Sequence, residues 1–155
     1  MYDSWETLKN ECTQCTKCKL CETRTNVVFG YGNPKAEVMF VGEGPGEQED
    51  LQGNPFVGRP GKLLDAMLND VGLSREKNIY IGNIVKCRPP KNRDPLPEEQ
   101  ECCINWLRNQ VLILKPKIIV AVGRIAAMKI IDPNIKITKD HGKFYKKKKT
   151  LRRLY

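Results

Sequence analysis

Seven cysteines in a chain of 155 residues are the side chains most able to carry chemistry. Four of them repeat near the N-terminus with two residues between neighbours: Cys12, Cys15, Cys18 and Cys21. The other three lie far along the chain: Cys87, Cys102 and Cys103. Such spacing lets paired thiolates reach one metal centre. Either the four N-terminal cysteines form one site, or a close pair is completed by Cys87 and a cysteine of a later helix.

The cellular compartment decides how these cysteines are interpreted. The N-terminus lacks the basic start and the apolar stretch of a secretory signal, so we expect a cytoplasmic protein. No apolar run approaches the roughly 20 residues of a membrane span, so we expect no membrane partner. An odd number of cysteines in such a protein favours metal binding over disulfides. The metal stays open at this point, because iron–sulfur clusters and zinc both accept four cysteines.

A glycine-rich, acidic segment, residues 42–50, follows the first predicted strand. It does not match a dinucleotide-binding loop, which needs two residues between its second and third glycines, because only Pro45 separates Gly44 from Gly46. It does not lead into a P-loop either, because Lys62 is followed by leucine. Its carboxylates would also repel a phosphate. The segment therefore suits close approach of a neutral ligand beside a carboxylate, and a solvated acidic turn is the alternative.

Two further residues suit recognition of a flat, polar ligand. Phe56 lies in a segment flanked by proline and glycine, where an aromatic ring either plugs a loop or stacks on a ligand. Asn83 ends an otherwise apolar strand, and its amide can both donate to and accept from the edge of a base. A turn-forming asparagine is the plainer interpretation of Asn83 when it is considered alone.

The hydrophobic pattern supplies the elements that must position these residues. It predicts three buried strands, at residues 36–41, 78–85 and 118–122. It predicts helices from Gly61 to Gly72, from Pro97 to Pro116, and over residues 125–131. Strands that alternate with helices indicate an α/β fold with a parallel sheet covered on both faces. Functional residues of such folds lie in the loops after the strands, here at residues 43–58, 83–92 and 123 onward.

The net charge of +9 is concentrated near the C-terminus. From Lys136 to Tyr155 there are nine lysines or arginines against Asp140 alone, a net +8, which leaves +1 for the first 135 residues. Such a segment either contacts phosphates or is simply solvated. Charge alone therefore does not establish a nucleic-acid partner.

Taken together, these segments resemble the type 4 uracil-DNA glycosylases, from about Cys15 to Lys143. The resemblance rests on four blocks in order: Cys-Thr-Lys-Cys at 15–18, Val-Gly-Glu-Gly-Pro-Gly-Glu at 41–47 with Glu49-Asp50, Pro-Phe-Val-Gly at 55–58, and Asn-Ile-Val-Lys-Cys-Arg-Pro-Pro at 83–90 with Asn92-Arg93. It implies a three-layer α/β sandwich with a central, mostly parallel sheet. It also implies a monomeric DNA-repair enzyme that hydrolytically releases uracil from single- or double-stranded DNA.

The resemblance also assigns the cysteines. Members of the family hold a [4Fe–4S] cluster that ties distant loops together near DNA. The family's ligands are a Cys-x-x-Cys pair, the cysteine of the Lys-Cys-Arg-Pro-Pro block and a cysteine on the following helix, which the resemblance assigns here to Cys15, Cys18, Cys87 and Cys103. Cys12, Cys21 and Cys102 fall outside the pattern and are expected to be free thiols.

The substrate pocket follows from the same resemblance. Phe56 is expected to stack on the flipped base, and Asn83 to read its polar edge and to take part in catalysis. Glu43 and the backbone of Gly44 are the other expected catalytic groups, on the sugar side. Gly42, Glu49 and Asn92 complete the expected substrate-binding set. Glu49 is expected near the C5 position of the base, where it would crowd the methyl group of thymine. Asn92 is expected to help hold the surrounding loops.

One feature of the family does not occur in this chain. Family members continue to a second motif that begins His-Pro, whose histidine stabilises the negative charge developing on uracil, whereas this chain ends at Tyr155. Its one histidine, His141, precedes Gly142, where the family usually has arginine. We therefore expect one domain, residues 1–155, incomplete at its C-terminus, with a basic tail at 144–155 and slow excision. The alternative is an iron–sulfur module that binds uracil or DNA with weakened or no activity.

Overall fold

A four-stranded sheet forms the centre of the computed structural model, which describes residue 2 and residues 4–146. Most of the predicted basic tail, residues 147–155, lies outside the described residues. The strands are β1 (Tyr31–Gly32), β2 (Val38–Gly42), β3 (Ile79–Asn83) and β4 (Ile118–Ala121), in the order β1-β3-β2-β4. β2 pairs in parallel with both β3 and β4, whereas β1 is antiparallel to β3. The sheet is therefore mostly parallel, as predicted.

Six helices are described around this sheet. They are α1 (Trp5–Thr13), α2 (Glu47–Gln52), α3 (Arg59–Asp70), α4 (Pro97–Leu114), α5 (Arg124–Ile130) and α6 (Ile137–Asp140), with short 3₁₀ turns at Lys19–Glu22 and Pro90–Asn92. The helix predicted from Pro97 is confirmed as α4. It begins with proline, and the Glu99 carboxylate accepts a hydrogen bond from the backbone N–H of Leu96 at 2.8 Å.

Alternation along the central strands divides the core between two faces. Met39 and Val41 of β2 pack in the larger cluster, together with apolar residues of α1, α4 and α5. Phe40 lies in the second cluster, together with Ile81 of β3 and Leu68 of α3. The sheet thus has helices on both faces, and the predicted three-layer α/β sandwich is confirmed.

Two local predictions are wrong. The strand predicted as buried at residues 118–122 is only partly covered, with Ile118 47% exposed, because β4 is an edge strand among the described residues. The segment predicted as a loop at 43–58 contains α2, which begins at Glu47. The helix predicted from Gly61 to Gly72 is confirmed as α3, although Leu68 is buried whereas Leu63, Met67 and Val71 are exposed.

None of the helices within the described residues is long and apolar enough to cross a membrane.

Candidate functional site

A pocket opens at the carboxyl ends of β2 and β3, where the parallel register places Gly42 beside Asn83. Its wall brings together five of the residues predicted to bind substrate or to act on it: Gly44, Glu49, Phe56, Asn83 and Asn92. They come from segments separated by up to 48 positions, so only the fold unites them. The rest of the wall comes from the segment around α2 and from the first turn of α3: Gly46, Glu47, Gln48, Gly58, Arg59, Pro60 and Gly61.

Gly42 is the meeting point of the two predicted base-binding side chains. A Cβ at this position would lie 2.6 Å from Oδ1 of Asn83 and 2.6 Å from Cζ of Phe56, closer than real Cβ contacts occur. The absence of a side chain therefore lets the aromatic ring and the amide approach each other over the end of β2. A flat apolar surface and a hydrogen-bonding group lie side by side in one pocket.

The amide of Asn83 is buried without a full set of partners. The residue is 1% exposed, and its Oδ1 has no hydrogen-bond partner among the described residues. Its backbone carbonyl, in contrast, accepts a hydrogen bond from Nζ of Lys86 at 3.0 Å. Because a buried, unpaired polar atom costs free energy, such an atom on a pocket wall marks a place where a ligand can supply the missing partner.

The acidic segment is mostly organised by backbone groups. The Glu49 carboxylate accepts hydrogen bonds from the N–H groups of Gly46 at 3.2 Å, Val57 at 2.9 Å and Gly58 at 2.8 Å. Asp50 is 3% exposed and accepts from the N–H of Thr25 at 2.9 Å. These two carboxylates therefore hold together segments that lie apart in the sequence. Glu49 also lines the pocket. That it crowds the methyl group of thymine stays a prediction.

Asn92 connects the same pocket to the segment after β3. Its Oδ1 accepts a hydrogen bond from Nε of Arg88 at 2.7 Å, and Arg88 also forms an ion pair with Glu47 at 3.5 Å. The backbone of Asn92 is left-handed, with φ of 55°, a conformation that asparagine adopts more readily than most residues. The arrangement suits the predicted part of Asn92 in holding the loops.

Glu43 follows β2 directly and is partly buried. Burial, and then the nearby carboxylate of Asp94, raise the pKa of Glu43, whereas the guanidinium of Arg124 opposes the rise. Arg124 and Asp94 form an ion pair of 2.5 Å. Glu43 therefore belongs to a small charged group with two residues that carried no motif in the sequence. Arg124 falls within the stretch after the third predicted strand, which was the only signal for it.

A second pocket gathers the cysteines. Six of the seven line it, together with basic and apolar neighbours: Cys15, Cys18, Cys21, Cys87, Cys102 and Cys103, with Lys17, Leu20, Arg24, Lys86 and Trp106. Cys12 is fully buried in the larger core cluster. The fold thus brings Cys15, Cys18 and Cys21 together with Cys87 of the segment after β3 and with Cys102 and Cys103 of α4, an arrangement that favours a site shared by distant parts of the chain.

Several of the described cysteine sulfurs accept hydrogen bonds from N–H donors. Nε1 of Trp106 donates to Sγ of Cys15 at 3.3 Å, Nη1 of Arg24 donates to Sγ of Cys87 at 3.3 Å, and the backbone N–H of Lys86 donates to Sγ of Cys103 at 3.2 Å. Donors of this kind stabilise metal-bound thiolates and tune the metal. The parts played by Arg24 and Trp106 were not visible in the sequence, because neither residue lies in a ligand motif.

The geometry of the sulfurs bears on which metal group fits. Among the described residues, no three His, Cys, Asp or Glu side chains converge closely enough to hold a single metal ion. A [4Fe–4S] cluster does not require such convergence, because each thiolate binds a different iron. Burial raises the pKa of Cys103 to about 12, so this thiol is protonated at neutral pH in the metal-free chain and must lose its proton when it binds a metal.

Comparison with known proteins agrees with this architecture. The profile of the uracil DNA glycosylase superfamily matches residues 29–153. The chain is 52% identical to a type-4 uracil-DNA glycosylase of Archaeoglobus fulgidus over 84% of this chain and 65% of that protein. It is 50% identical to one of Sulfurisphaera tokodaii (92% and 67%) and 49% identical to one of Thermotoga maritima (88% and 71%).

These matches cover most of this chain, although the chain spans only about two thirds of the length of the relatives. The identities are far above the level at which two proteins share a fold alone. The chain therefore belongs to the uracil DNA glycosylase superfamily and, within it, to the type-4 uracil-DNA glycosylases.

Proposed function

We propose that this protein recognises uracil in DNA with the pocket at the ends of β2 and β3 and releases it by hydrolysis of the glycosidic bond. One observation carries the proposal: Oδ1 of Asn83 is buried, unpaired among the described residues, and adjacent to the ring of Phe56 across Gly42. A base that enters this pocket finds a stacking surface and a hydrogen-bonding partner together. The relatives named above are uracil-DNA glycosylases, which supports the choice of base.

Recognition requires the base to leave the helix. Extrusion of a nucleotide costs a few kcal/mol, which stacking and hydrogen bonds inside the protein must offset. Phe56 supplies the stacking surface, and Asn83 pairs with the polar edge of uracil. Glu49, fixed by three backbone N–H groups, supplies a rigid wall that would crowd the methyl group of thymine.

Bond cleavage places positive charge on the sugar and negative charge on the departing uracil. A carboxylate at Glu43 would position the attacking water and stabilise the oxocarbenium-like sugar, beside the backbone of Gly44. Gly44 has no room for a side chain, since its Cβ would lie 2.6 Å from Cγ2 of Val85. The backbone can therefore approach the substrate closely at this point.

A [4Fe–4S] cluster held by Cys15, Cys18, Cys87 and Cys103 completes the proposal. The sulfurs of Cys15, Cys87 and Cys103 accept N–H hydrogen bonds, whereas none is described for Cys102, which favours Cys103 as the ligand from α4. When bound, the cluster would supply a rigid cross-link. The chain around it joins the segment after α1, the segment after β3 and α4, and thereby steadies the strand end that carries Asn83.

The proposal also covers the contacts with DNA, the oligomeric state and the location of the protein. The net +8 from Lys136 onward suits contacts with DNA phosphates, on single or double strands. We propose that the protein acts as a monomer in the cytoplasm.

Binding selectivity tests the proposal. The affinity of the protein is measured for two single-stranded oligonucleotides that differ only in one uracil or thymine. We expect a preference for uracil that disappears in Asn83→Asp. Thymine shares the polar edge of uracil but is kept out of the pocket by its methyl group, and a carboxylate that cannot donate to the base removes the hydrogen bond that uracil gains by entering. Asn69→Asp, which adds the same charge on the exposed surface of α3, should keep the preference. Equal affinity of the unaltered protein for both oligonucleotides would refute the proposed recognition.

A further inference from the structure

Phe56 has a backbone conformation that needs external support. Its φ of 52° lies in the left-handed region, which a bulky L-residue rarely adopts and which costs free energy. The ring is directed over Gly42, toward the amide of Asn83. Something in the surrounding structure must therefore hold residue 56 in this conformation.

The guanidinium of Arg75 contacts this segment directly. Arg75 lies between α3 and β3, is 7% exposed, and donates from Nη1 to the carbonyl oxygen of Pro55 and from Nη2 to that of Phe56 at 2.5 Å. Its Nε donates to Oδ1 of Asp65 on α3 at 2.7 Å, and Nη2 also approaches Oδ2 at 3.2 Å. One planar group thus joins two consecutive carbonyls to a helix.

The first turn of α3 also lies against the Phe56 carbonyl. A Cβ on Gly61 would overlap both the carbonyl carbon and the carbonyl oxygen of Phe56, so glycine is required where the first turn of the helix passes. Residue 56 is therefore held between the backbone of Gly61 and the guanidinium of Arg75. Rotation of its peptide group would break the hydrogen bonds to Arg75.

We propose that Arg75 is a positioning residue for base recognition: by holding the carbonyls of Pro55 and Phe56 it fixes the left-handed backbone that directs the Phe56 ring over Gly42. The inference rests on the proposed role of Phe56 in stacking on the base. Arg75 itself is buried beneath the loop and acts through Phe56. Arginine is required because its rigid fork donates to three acceptors at once, which the single ammonium of lysine cannot do with the same geometry.

A double-mutant cycle tests the inference with the same pair of uracil and thymine oligonucleotides. The uracil-over-thymine preference is measured for the unaltered chain, Arg75→Gln, Phe56→Leu and the double variant. We expect each single substitution to lower the preference, roughly tenfold for Phe56→Leu because leucine offers no aromatic face for the base to stack on. The double variant should be no lower than Phe56→Leu, because residues that act through one another are not additive.

Two further variants separate positioning from general stability. Asp65→Asn removes the ion pair and leaves both carbonyl hydrogen bonds, so it should keep the preference. Arg75→Lys keeps the charge without the fork and should lower the preference; it replaces Arg75→Gln in the cycle if that variant fails to fold. Loss of preference in Asp65→Asn equal to that in the Arg75 variant would overturn the inference.

The outcomes also distinguish this inference from the proposed function. A normal preference in the Arg75 variant together with a reduced one in Phe56→Leu overturns the inference and leaves base stacking intact. Additive losses in the double variant overturn it as well, because Arg75 would then act independently of Phe56. A normal preference in Phe56→Leu would overturn the stacking role itself, and with it the inference.

Discussion

The ammonium of Lys86 donates a hydrogen bond to the backbone carbonyl of Asn83 at 3.0 Å, while its backbone N–H donates to Sγ of Cys103 at 3.2 Å. Its Nζ also donates to Oε1 of Gln110 on α4 at 2.7 Å, and the Lys86 side chain is fully buried. One residue thus contacts both the strand end that forms the substrate pocket and the helix that carries a proposed cluster ligand. The two pockets are joined through the short segment between Asn83 and Cys87.

The first prediction concerns the cluster ligands. Anaerobically purified protein should be brown and contain iron and labile sulfide, because iron–sulfur clusters absorb visible light and zinc does not. Cys103→Ser should remove the colour, as should the same change at each of the other proposed ligands: Cys15, Cys18 and Cys87. Its neighbour Cys102→Ser is the matched control and should stay brown, and Cys12 and Cys21 should tolerate replacement too. Bleaching in Cys102→Ser but not in Cys103→Ser would show that the other cysteine is the ligand.

The second prediction follows from the unpaired Oδ1 of Asn83. Asn83→Leu removes a buried polar group whose oxygen has no partner in the described residues, so the free energy of unfolding should stay unchanged or rise by about 1 kcal/mol. Affinity for the uracil oligonucleotide should fall roughly ten- to a hundredfold, about 1.4 to 2.8 kcal/mol. Urea unfolding and oligonucleotide binding provide the two measurements. A large loss of stability with retained uracil affinity would show that Asn83 stabilises the fold and does not bind uracil.

The third prediction concerns the ionisation of Glu43. Burial and the carboxylate of Asp94 raise its pKa, and Arg124 opposes them. Asp94→Asn should therefore lower the pKa of Glu43, and Arg124→Gln should raise it further. The carboxyl carbon signal of Glu43, followed by NMR across acidic pH, measures both shifts.

The same shifts should appear in catalysis. Because Glu43 is proposed to act as a carboxylate, the rate should rise with pH as Glu43 loses its proton. The acidic limb of the pH–rate profile should move to lower pH in Asp94→Asn and to higher pH in Arg124→Gln. Shifts of the two variants in the same direction would contradict the charge arrangement.

The fourth prediction concerns the charge near the C-terminus. Removal of residues 146–155 deletes six lysines or arginines, and the slope of log affinity for DNA against log salt should become less steep, by about 0.7 to 0.9 for each phosphate that the shortened protein no longer neutralises. Glutamine substitutions at Lys35, Lys77 and Lys115 form the control, since these exposed residues precede strands at the end of the sheet away from the pocket. An unchanged slope after the removal would mean that the segment is merely solvated.

The sequence predicted those elements whose pattern is both long and local. The strand before Gly42, the strand ending at Asn83 and the helix from Pro97 are confirmed, because apolar periodicity and a proline at the first helical turn mark them. β1 has only two residues and produces no pattern. α2 was hidden because glycine and proline precede its charged first turn, which favours a loop interpretation.

The sequence predicted many of the residues that line the two pockets, but not the hydrogen bonds that hold those residues in place. Phe56, Asn83, Cys15, Cys18 and Cys87 stand in recognisable blocks, and the fold brings them into two pockets. The hydrogen bonds that hold them do not show in the sequence, because Arg75 reaches a segment 20 positions away and Trp106 reaches one 91 positions away. The side of α3 that faces solvent was likewise unpredictable, since its exposed apolar positions have the same spacing as a buried face.

The proposed hydrolysis of the glycosidic bond is tested by measuring the release of free uracil. Under single-turnover conditions, the protein is incubated with a single-stranded oligonucleotide that carries one uracil, and the free base is quantified over time beside Asn83→Asp and a thymine-containing oligonucleotide. We expect that uracil is released, that thymine is not, and that Asn83→Asp slows release by about a hundredfold or more, because one preorganised hydrogen-bonding group is removed. Absence of uracil release, or equal rates for the unaltered protein and Asn83→Asp, would contradict this expectation.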